Sequence, residues 1–512
     1  MIGILLKSIV YVVALAMVGY TIFFLSLNAR ARRELGFLVP AIFVVLTIVA
    51  FLSPSQWVLH AAALTIIPAF ARTRRDAAML LIIASMATPP FYTVLVFEGL
   101  KLVRWSVQNS LALGALFAFA IARGPIIARK PRADVPMLLL LALFVVVAAR
   151  ESSFTNFLRE ICTALFTFGV PYWVVTRSID PMTDSRRLLL WISAAATMIG
   201  VISIYESMTA WPLYRAAGSL FDLHGAGMFV TRMGFMRAAG PLTNSTVLGY
   251  VLAFAFIAAI LSRRCFRSGG AQARVVTIIS AGLLASQSRG AMLGAAVAVL
   301  MLLLFNPRGR TGAIAVLGVV VASLFSLIML GMTYFEASAA DTLDYRKQLM
   351  ARGIEEFREH PLLGDTLDAV SARLSDLTTG EHIVDFVNTY LYFALLAGVF
   401  GALLFLAVIL IPPITLWRAR RRLPAEPEYL ALARFCFAFL IASAMMLGFT
   451  SLSDRMTVLL MSAVGLAGTI TAPRRRPAAP ALTSLPASGR IGALEDDEIV
   501  LPAIREERLP SG

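Results

Sequence analysis

The stretch "NTYLYFALLAGVFGALLFLAVILIPPITLWRARRR", residues 388–422, joins a long apolar run to a cluster of arginines. A helix needs about 20 mostly apolar residues to cross the hydrocarbon core of a bilayer, and this run is long enough. Basic residues beside such a run favour the cytoplasmic side of the membrane. The stretch therefore predicts a transmembrane helix whose C-terminal end faces the cytoplasm.

The same pattern extends over most of the chain. Of the 512 residues, 59% are hydrophobic and 15% are charged, whereas soluble domains carry about 25% charged residues. This balance excludes a soluble globular protein and predicts an all-α, polytopic integral membrane protein with about 12–15 transmembrane helices. The apolar runs that could form these helices begin near residues 9, 37, 57, 77, 108, 135, 157, 187, 243, 273, 290, 311, 386, 428 and 456.

Basic residues between these runs predict how the spans are oriented in the membrane, and their distribution argues against one class of function. The net charge is +15, but the Lys and Arg residues lie in short clusters rather than in one patch, which argues against nucleic-acid binding. All clusters fall on the same side of the predicted spans, so this side is assigned to the cytoplasm. They occupy residues 28–33, 71–75, 128–132, 262–267, 306–310, 418–422 and 473–476. Three scattered cysteines, without CxxC spacing, argue against a disulfide framework and a zinc site.

The predicted organisation alternates membrane regions with two long external loops. Residues 1–205 form N-terminal transmembrane helices, 206–240 a first external loop, and 241–333 core transmembrane helices. A large external loop follows at 334–385, then C-terminal transmembrane helices at 386–472 and a disordered cytoplasmic tail at 473–512. The large loop contains signals for an amphipathic helix over the outer membrane face. These signals are Asp341 as N-cap, apolar Leu349, Ile354 and Phe357, and a stop at "HPLLG", residues 360–364.

Four motifs follow one another in the second half of the chain. They are "MRAAGPLTNSTVLGY" (236–250), "SQSRGAMLG" (286–294), "YRKQLMARGIEEFREHPLLG" (345–364) and "NTYLYFALLAGVFGALLFL" (388–406). Together they resemble the O-antigen ligase and O-antigen polymerase superfamily of bacterial membrane glycosyltransferases. The resemblance covers roughly residues 237–406, and the region before it is similar only as a row of helices.

The resemblance implies transfer of a glycan from undecaprenyl diphosphate to an acceptor hydroxyl, with no metal and no cofactor. The external side is then the periplasm, and the membrane is the bacterial inner membrane. A polymerase transfers the glycan to another lipid-linked repeat unit, in O-antigen, capsule or exopolysaccharide synthesis. A ligase transfers it to the lipid A core or to a protein. The implied partners are the lipid-linked donor, a glycan or lipid acceptor and the bilayer, with a chain-length regulator protein as a further candidate.

Residue by residue, Arg237 and Asn244 match the family pattern before a polar helix start, and Ser288 and Arg289 match its Ser-Arg-Gly motif. Arg346 matches the pattern of the large loop. At the exit of that loop the family often has His-Asn-x-x-Leu. This chain has Val387 in place of the histidine, followed by Asn388. That departure favours a polymerase over a ligase.

Negative charge develops on the diphosphate when the glycosidic bond breaks, and fixed guanidinium groups would stabilise it. We therefore predict Arg289 as a catalytic residue, and a substrate-binding set consisting of Arg237, Asn244, Ser288, Arg346 and Asn388. The acceptor hydroxyl needs a base. The leading candidates are His382 and Asp385, followed by Glu381 and, further away, Glu206.

Each assignment has a structural alternative. Arg289 could be a snorkelling residue at the tip of a hairpin, Arg346 a solvated helix residue, and His360 a helix-stop residue. Asn244 and Asn388 could be helix caps rather than sugar contacts. A transporter or a lipid-linked glycan flippase is the alternative from another functional class. Its expected signs are charges at mid-membrane and paired motifs in two halves, and the sequence has no second copy of any motif.

Overall fold

Helices make up most of the regular structure in the part of the chain that the structure describes. The structure is a computed structural model, and it describes residues 2–97, 100–127, 131–151, 153–221, 230–232, 234–305, 337–377 and 386–472. The predicted tail at 473–512 and the predicted span that begins near residue 311 lie outside these residues, as does the segment that contains His382 and Asp385.

The elements of the first half are, in chain order, α1 (Ile2–Ser26), α2 (Ala29–Leu35), α3 (Leu38–Leu52), α4 (Gln56–Phe70), α5 (Arg74–Ala87), β1 (Tyr92–Phe97), β2 (Leu100–Ser106), α6 (Val107–Ile121), α7 (Asp134–Ala148), α8 (Phe154–Ala164), α9 (Val170–Ser178), α10 (Ser185–Thr209) and α11 (Arg215–Ser219). A π-helical stretch, Leu165–Gly169, joins α8 to α9.

The elements of the second half are β3 (Thr231–Arg232), β4 (Phe235–Met236), α12 (Ser245–Leu261), α13 (Gly269–Ala285), α14 (Arg289–Phe305), α15 (Ala337–Glu359), α16 (Leu367–Arg373), α17 (Thr389–Ala419), α18 (Pro427–Met446) and α19 (Asp454–Thr471).

The predicted all-α, polytopic membrane class is confirmed. Among the described residues, five segments are long and apolar enough to cross a membrane: Gly3–Ser26, Ala29–Leu52, Ser185–Thr209, Thr389–Ala419 and Pro427–Met446. Six shorter apolar helices accompany them in the same part of the chain, namely α4, α6, α7, α12, α13 and α14. A helix lies at every predicted span that falls within the described residues, although one of these helices covers only the first part of its span. The apolar run at the opening stretch is α17, the longest of the helices described.

One predicted span is shorter than its apolar sequence suggests. The run that begins near residue 77 forms α5, which ends at Ala87, and its continuation pairs as the antiparallel hairpin β1–β2. The sequence "YTVLVF" of β1 consists of aromatic, β-branched and leucine residues, which favour a strand over a helix. Hydropathy alone does not distinguish these two outcomes, because both structures accept apolar residues.

Within the described residues, the loops that carry the basic clusters at 28–33, 71–75 and 262–267 meet at one end of the helix bundle, which we call the basic end. There, Asn28 N donates a hydrogen bond to Cys265 O at 2.9 Å, and Arg74 N donates one to Arg123 O at 3.2 Å. Ion pairs join further loops at this end: Arg186–Glu34 at 3.0 Å, Arg187–Asp76 at 2.9 Å and Arg177–Asp134 at 2.9 Å. The shared end is what the predicted topology requires, and the side of the membrane that it faces stays a prediction.

The predicted helix of the large loop is present as α15, with two differences. It begins at Ala337, so Asp341 lies within the helix and is not its N-cap. Ile354 is exposed, whereas Leu349 is buried. The buried face of α15 packs against α17: a Cβ atom on Gly353 would lie 2.9 Å from Leu391 Cδ2. The helix ends at Glu359, immediately before "HPLLG", as predicted.

Residues 360–365 form a turn that docks into a kink of α17. We call it the docked turn. At the kink, Gly398 has a positive φ of 64°, which interrupts the helix. Val399 N donates to Pro361 O at 2.9 Å, and Asp365 N donates to Leu395 O at 2.9 Å. Backbone groups that the kink leaves without intrahelical partners are thereby satisfied by the large loop.

Arg150, from the connection between α7 and α8, holds both sides of this joint. Its Nη1 donates to Gly364 O at 2.7 Å, and its Nη2 donates to Leu396 O at 2.8 Å. One guanidinium group therefore bridges the docked turn and the kinked helix. The large loop is tied to the membrane helices by backbone geometry as well as by the apolar face of α15.

Candidate functional site

Arg237 lies at the end of the bundle opposite the basic end, beside the turn between α13 and α14. Its backbone N donates to Val230 O at 2.8 Å, and the next residue, Ala238, donates to Ala285 O at 3.0 Å. Its side chain is half-buried, with Nε 3.5 Å from Ser286 O. The backbone around Arg237 is thus fixed along the C-terminal end of α13.

Two further arginines lie near Arg237. Arg232, on β3, donates from Nη1 to Gln287 O at 3.2 Å, and Arg289 is the first residue of α14. Burial and, secondarily, the positive charges of Arg232 and Arg289 together lower the pKa of Arg237 to about 10. We call these three residues the arginine cluster. Like charges held together in a partly buried site favour the binding of an anion.

Arg232 was not among the residues predicted from the sequence. It joins the cluster because β3 and β4 form a tight hairpin in which Thr231 pairs with Met236 and Arg232 with Phe235. Gly234, in the turn, has a positive φ of 78°. A glycine in a short connection is a hairpin signal, and "TRMGFMR" carries it at residues 231–237. That signal predicts that Arg232 and Arg237 belong to one short hairpin, Arg232 beside its turn and Arg237 at its open end.

The turn that precedes Arg289 is held by the hydroxyl of Ser286 and by tight packing of Ser288. Ser286 Oγ donates to Leu283 O at 2.6 Å and accepts from Ser288 N at 3.3 Å. Gln287 has a positive φ of 50°. A Cβ atom on Gly249 of α12 would lie only 2.6 Å from Ser288 Cβ. Ser288 is therefore buried in a helix contact, which supports a packing role; its predicted contact with substrate stays a prediction.

Asn244 and Asn388 are both N-caps, so the structural alternative for them is confirmed. Asn244 Oδ1 accepts hydrogen bonds from Thr246 N at 2.8 Å and Val247 N at 3.2 Å, at the start of α12. Asn388 Oδ1 accepts from Tyr390 N at 2.9 Å and Leu391 N at 3.2 Å, at the start of α17. Each cap satisfies two of the first backbone N–H groups of its helix. A sugar contact by either residue stays a prediction.

The exit of the large loop shares a neighbour with Arg289. Residues 447–451, between α18 and α19, accept hydrogen bonds from Thr389: its N donates to Leu447 O at 2.9 Å, and its Oγ1 donates to Thr450 O at 2.6 Å. Within the same connection, Phe449 Cβ lies 4.0 Å from where a Cβ atom on Gly290 would be. The start of α17 and the start of α14 therefore flank one connection at this end of the bundle.

The predicted bases lie just before this exit in the chain. His382 and Asp385, with Glu381, fall in the segment 378–385, outside the described residues. The residue that follows them, Phe386, accepts a hydrogen bond from Ser451 Oγ at 2.7 Å. Phe386 therefore lies beside the connection that flanks Gly290, and the roles of the predicted bases stay predictions.

Arg346 and His360 lie on the large loop. Arg346 is on the exposed side of α15, three residues before the buried Leu349. His360 follows the last residue of that helix, and its carbonyl accepts from Gly364 N at 3.0 Å, which confirms it as a helix-stop residue. The predicted binding role of Arg346 stays a prediction.

One group of side chains in the described residues could hold a metal ion by distance alone. The ligand atoms of Glu356, Glu359 and His360 lie within 4.8 Å of one another. Arg373, however, donates from Nε to Glu356 Oε1 at 2.7 Å and also pairs with Asp365. Since a guanidinium group already pairs with the buried carboxylate of this group, the arrangement is explained as an ion-pair network of the large loop.

The arginine cluster is suited to a phosphate or diphosphate group. Guanidinium groups donate planar, bidentate hydrogen bonds to phosphate oxygens and stay charged when partly buried. Three of them within one site would offset more than one negative charge. The cluster is held by β3–β4, by the segment around Arg237 and by the turn before α14, and all three are joined by backbone hydrogen bonds. The site is therefore preorganised before any ligand binds.

Comparison with known proteins gives one family. Residues 274–406 match the family model described as O-antigen ligase. The matched region includes Arg289, the docked turn and Asn388, and it begins after Arg232 and Arg237. No curated protein matches the chain.

Proposed function

We propose, from the match of residues 274–406 to the O-antigen ligase family, that the chain is a glycan polymerase of the O-antigen ligase and polymerase superfamily. It transfers an oligosaccharide from undecaprenyl diphosphate to a hydroxyl of another lipid-linked repeat unit, in the synthesis of O-antigen, capsule or exopolysaccharide. The observation that carries the proposal is the arginine cluster at one end of a bundle with membrane-spanning helices, because its positive charge suits a diphosphate.

In the proposed reaction, the acceptor hydroxyl oxygen attacks the anomeric carbon, and the bond from that carbon to the diphosphate oxygen breaks. The hydroxyl proton passes to a base, for which His382 and Asp385 are the candidates. The electron pair of the broken bond stays on the departing diphosphate. Arg232, Arg237 and Arg289 stabilise the charge that develops there. Because the arginines supply the positive charge, the step needs no metal ion.

Orientation supports this assignment. The positive-inside rule assigns the basic end to the cytoplasm. The arginine cluster lies at the opposite end of the bundle and is therefore assigned to the periplasm. Basic residues are disfavoured on the external side of membrane spans, so a group of arginines there needs a functional reason. A lipid-linked diphosphate on the periplasmic face of the inner membrane gives the cluster a reason to be there.

Transfer to a lipid A core or to a protein, as in a ligase, is the second candidate. The family description favours it, whereas Val387, at the position where the family often has histidine, favours a polymerase. A transporter or flippase is supported less, because the clustered arginines lie at one end of the bundle rather than at mid-membrane.

Deletion of the gene in its native host tests these assignments. For a polymerase, we expect the long surface glycan to disappear and single repeat units to remain. For a ligase, long lipid-linked chains would accumulate while the core stays bare. The readout is the chain length of surface and lipid-linked glycan, with restoration by the wild-type gene as the control. Unchanged glycan in the deletion strain would reject both transferase assignments.

Gly249→Ala tests whether the packing of α12 against the turn before Arg289 matters for activity. The added Cβ atom would meet Ser288 Cβ at 2.6 Å and Ala291 Cβ at 2.8 Å, so the turn must move. Displacement of a catalytic group by about 1 Å can reduce a rate roughly 10²-fold. We expect glycan elongation to fall about 10- to 100-fold per folded molecule, measured from chain length and membrane protein level.

Gly270→Ala is the matched control for this substitution. Gly270 lies in α13 with no atom within 4 Å of an added Cβ, so the same chemical change meets open space. We expect unchanged elongation in this variant. Equal activity in the Gly249 and Gly270 variants would show that the packing contact does not position Arg289.

A further inference from the structure

A buried carboxylate lies beneath the backbone that follows Arg237. Glu206, near the C-terminal end of α10, is 1% exposed. Its Oε2 accepts hydrogen bonds from Gly240 N at 2.7 Å and from Ala239 N at 3.1 Å, and its Oε1 accepts one from Leu213 N at 3.0 Å. Both carboxylate oxygens are thus engaged by backbone donors from two separate loop segments.

These contacts are specific to a carboxylate. A carboxylate only accepts hydrogen bonds, and all three of its partners here are donors. A glutamine would place an NH₂ group against at least one backbone N–H, which leaves a buried donor unsatisfied. The burial of Glu206 and its engagement by fixed N–H groups also exclude contact with substrate. The prediction from the sequence that Glu206 could act as the base is therefore wrong, because its carboxylate oxygens face the protein backbone.

We propose that Glu206 is a positioning residue that sets the orientation of the Arg237 guanidinium group; this inference rests on the proposed transferase function. Arg237 is held on one side by its own N–H bond to Val230 O and by the bond from Ala238 N to Ala285 O. On the other side, Ala239 and Gly240 are held by Glu206. The backbone of residues 237–240 is thus held from α13 and from α10 at once.

The same carboxylate also couples this segment to the end of its own helix. Leu213 lies four residues after α10, beyond Ala210, which has a positive φ of 53°. By accepting from Leu213 N, Glu206 holds the loop that leaves α10 against the loop that carries Arg237. A single buried charge therefore joins α10, its following loop and the arginine cluster, and it acts on the diphosphate only through Arg237.

The test uses the full chain, purified in detergent and assayed with a short-chain polyprenyl diphosphate as the probe. In Glu206→Gln, we expect the affinity of the folded protein for the probe to fall about tenfold or more. We expect kcat for glycan transfer to fall about 10- to 100-fold, with the KM for the acceptor unchanged. A merely structural role would reduce the amount of folded protein but leave the probe affinity of the folded fraction at the wild-type value.

Two further variants complete the experiment. Glu206→Asp keeps the charge and both acceptor oxygens but is one methylene shorter, so we expect a folded protein with intermediate probe affinity and kcat. Ser203→Ala is the matched control: Ser203 is buried one turn earlier in α10, and its hydroxyl donates only within its own helix, to Ile199 O at 2.8 Å. We expect wild-type probe affinity in that control.

The outcomes distinguish this inference from the proposed function. If the Gln and Asp variants both bind the probe and turn over like wild type while Arg289→Ala is inactive, the positioning role of Glu206 is overturned and the transferase assignment stands. If Arg289→Ala is also fully active, the proposed function itself fails. If the Gln variant does not fold, the Asp variant decides: wild-type affinity and kcat there overturn the positioning role.

Discussion

Arg289→Ala is expected to lower the rate of glycan elongation by about 10²- to 10³-fold, because removal of one preorganised donor from a charge-stabilising site has an effect of this size. Arg289 begins α14 beside Arg237. The variant should still insert, since replacement of an arginine by alanine lowers the barrier to membrane insertion. Elongation is measured as the chain length of the glycan in a deletion strain that expresses the variant at wild-type level.

Two comparisons make the Arg289 result specific. Arg289→Lys keeps the charge but loses the bidentate geometry, so we expect an activity between those of wild type and the alanine variant. Arg434→Ala removes another half-buried arginine from an apolar helix, α18, away from the arginine cluster. We expect that control to elongate normally. Wild-type chain length in Arg289→Ala would mean that the arginine is a snorkelling residue, the structural alternative predicted for it.

Gly364→Ala is expected to be the most destabilising of the substitutions considered. An added Cβ atom would lie 2.2 Å from Leu395 O, a backbone atom of the kinked helix, and the position has a positive φ of 65°. Overpacking is unfavourable by about 1–3 kcal/mol, and a left-handed backbone by about 1–2 kcal/mol for a residue with a Cβ atom. The docked turn should therefore leave the kink, which is measured as a lower melting temperature and faster proteolysis of the large loop.

Gly398→Ala should have a similar effect from the other side of the joint, because its Cβ atom would lie 2.1 Å from Leu362 O. Gly36→Ala provides the control for backbone strain alone. Gly36 has a φ of 59°, close to that of Gly364, but no atom lies within 4 Å of an added Cβ. We expect this control to lose only the smaller, conformational part of the stability. Equal destabilisation at Gly36 and Gly364 would contradict the docking of the turn as the cause.

The contact between the docked turn and the kink of α17 explains the "HPLLG" motif physically, which the sequence pattern alone did not. Pro361, which lacks an N–H group, contributes its carbonyl to the kink, and Gly364 permits the close backbone approach. Arg150 completes the joint from a third segment. In Arg150, burial lowers the pKa of the guanidinium group, while the nearby carboxylates of Asp365 and Glu151 raise it. The large loop is thus held at a defined place beside the membrane helices.

Several parts of the candidate site could be predicted from residue type and spacing. Arg289 stood out because basic residues are disfavoured on the external side of membrane spans, and Arg237 followed from the family resemblance. Asn244 and Asn388 were predicted as caps or sugar contacts, and the structure confirms the caps. Arg232 and the anchoring role of Glu206 were not predicted, since both depend on which loops meet. Periodicity and hydropathy contain no information on contacts between distant loops.

The sequence by itself determined that the chain is a helical membrane protein and which apolar runs form its helices, and it predicted which loops share an end. Those properties follow from local chemistry, because each apolar run must leave water and each basic cluster resists translocation. Only the tertiary structure decided that Arg232 lies near Arg237 and Arg289. It also decided that Glu206 accepts hydrogen bonds from the backbone rather than contacting a substrate. The kink of α17 at Gly398, where the docked turn binds, is the third such feature. These features depend on hydrogen bonds between residues that are far apart in the chain, which only the packed bundle brings together.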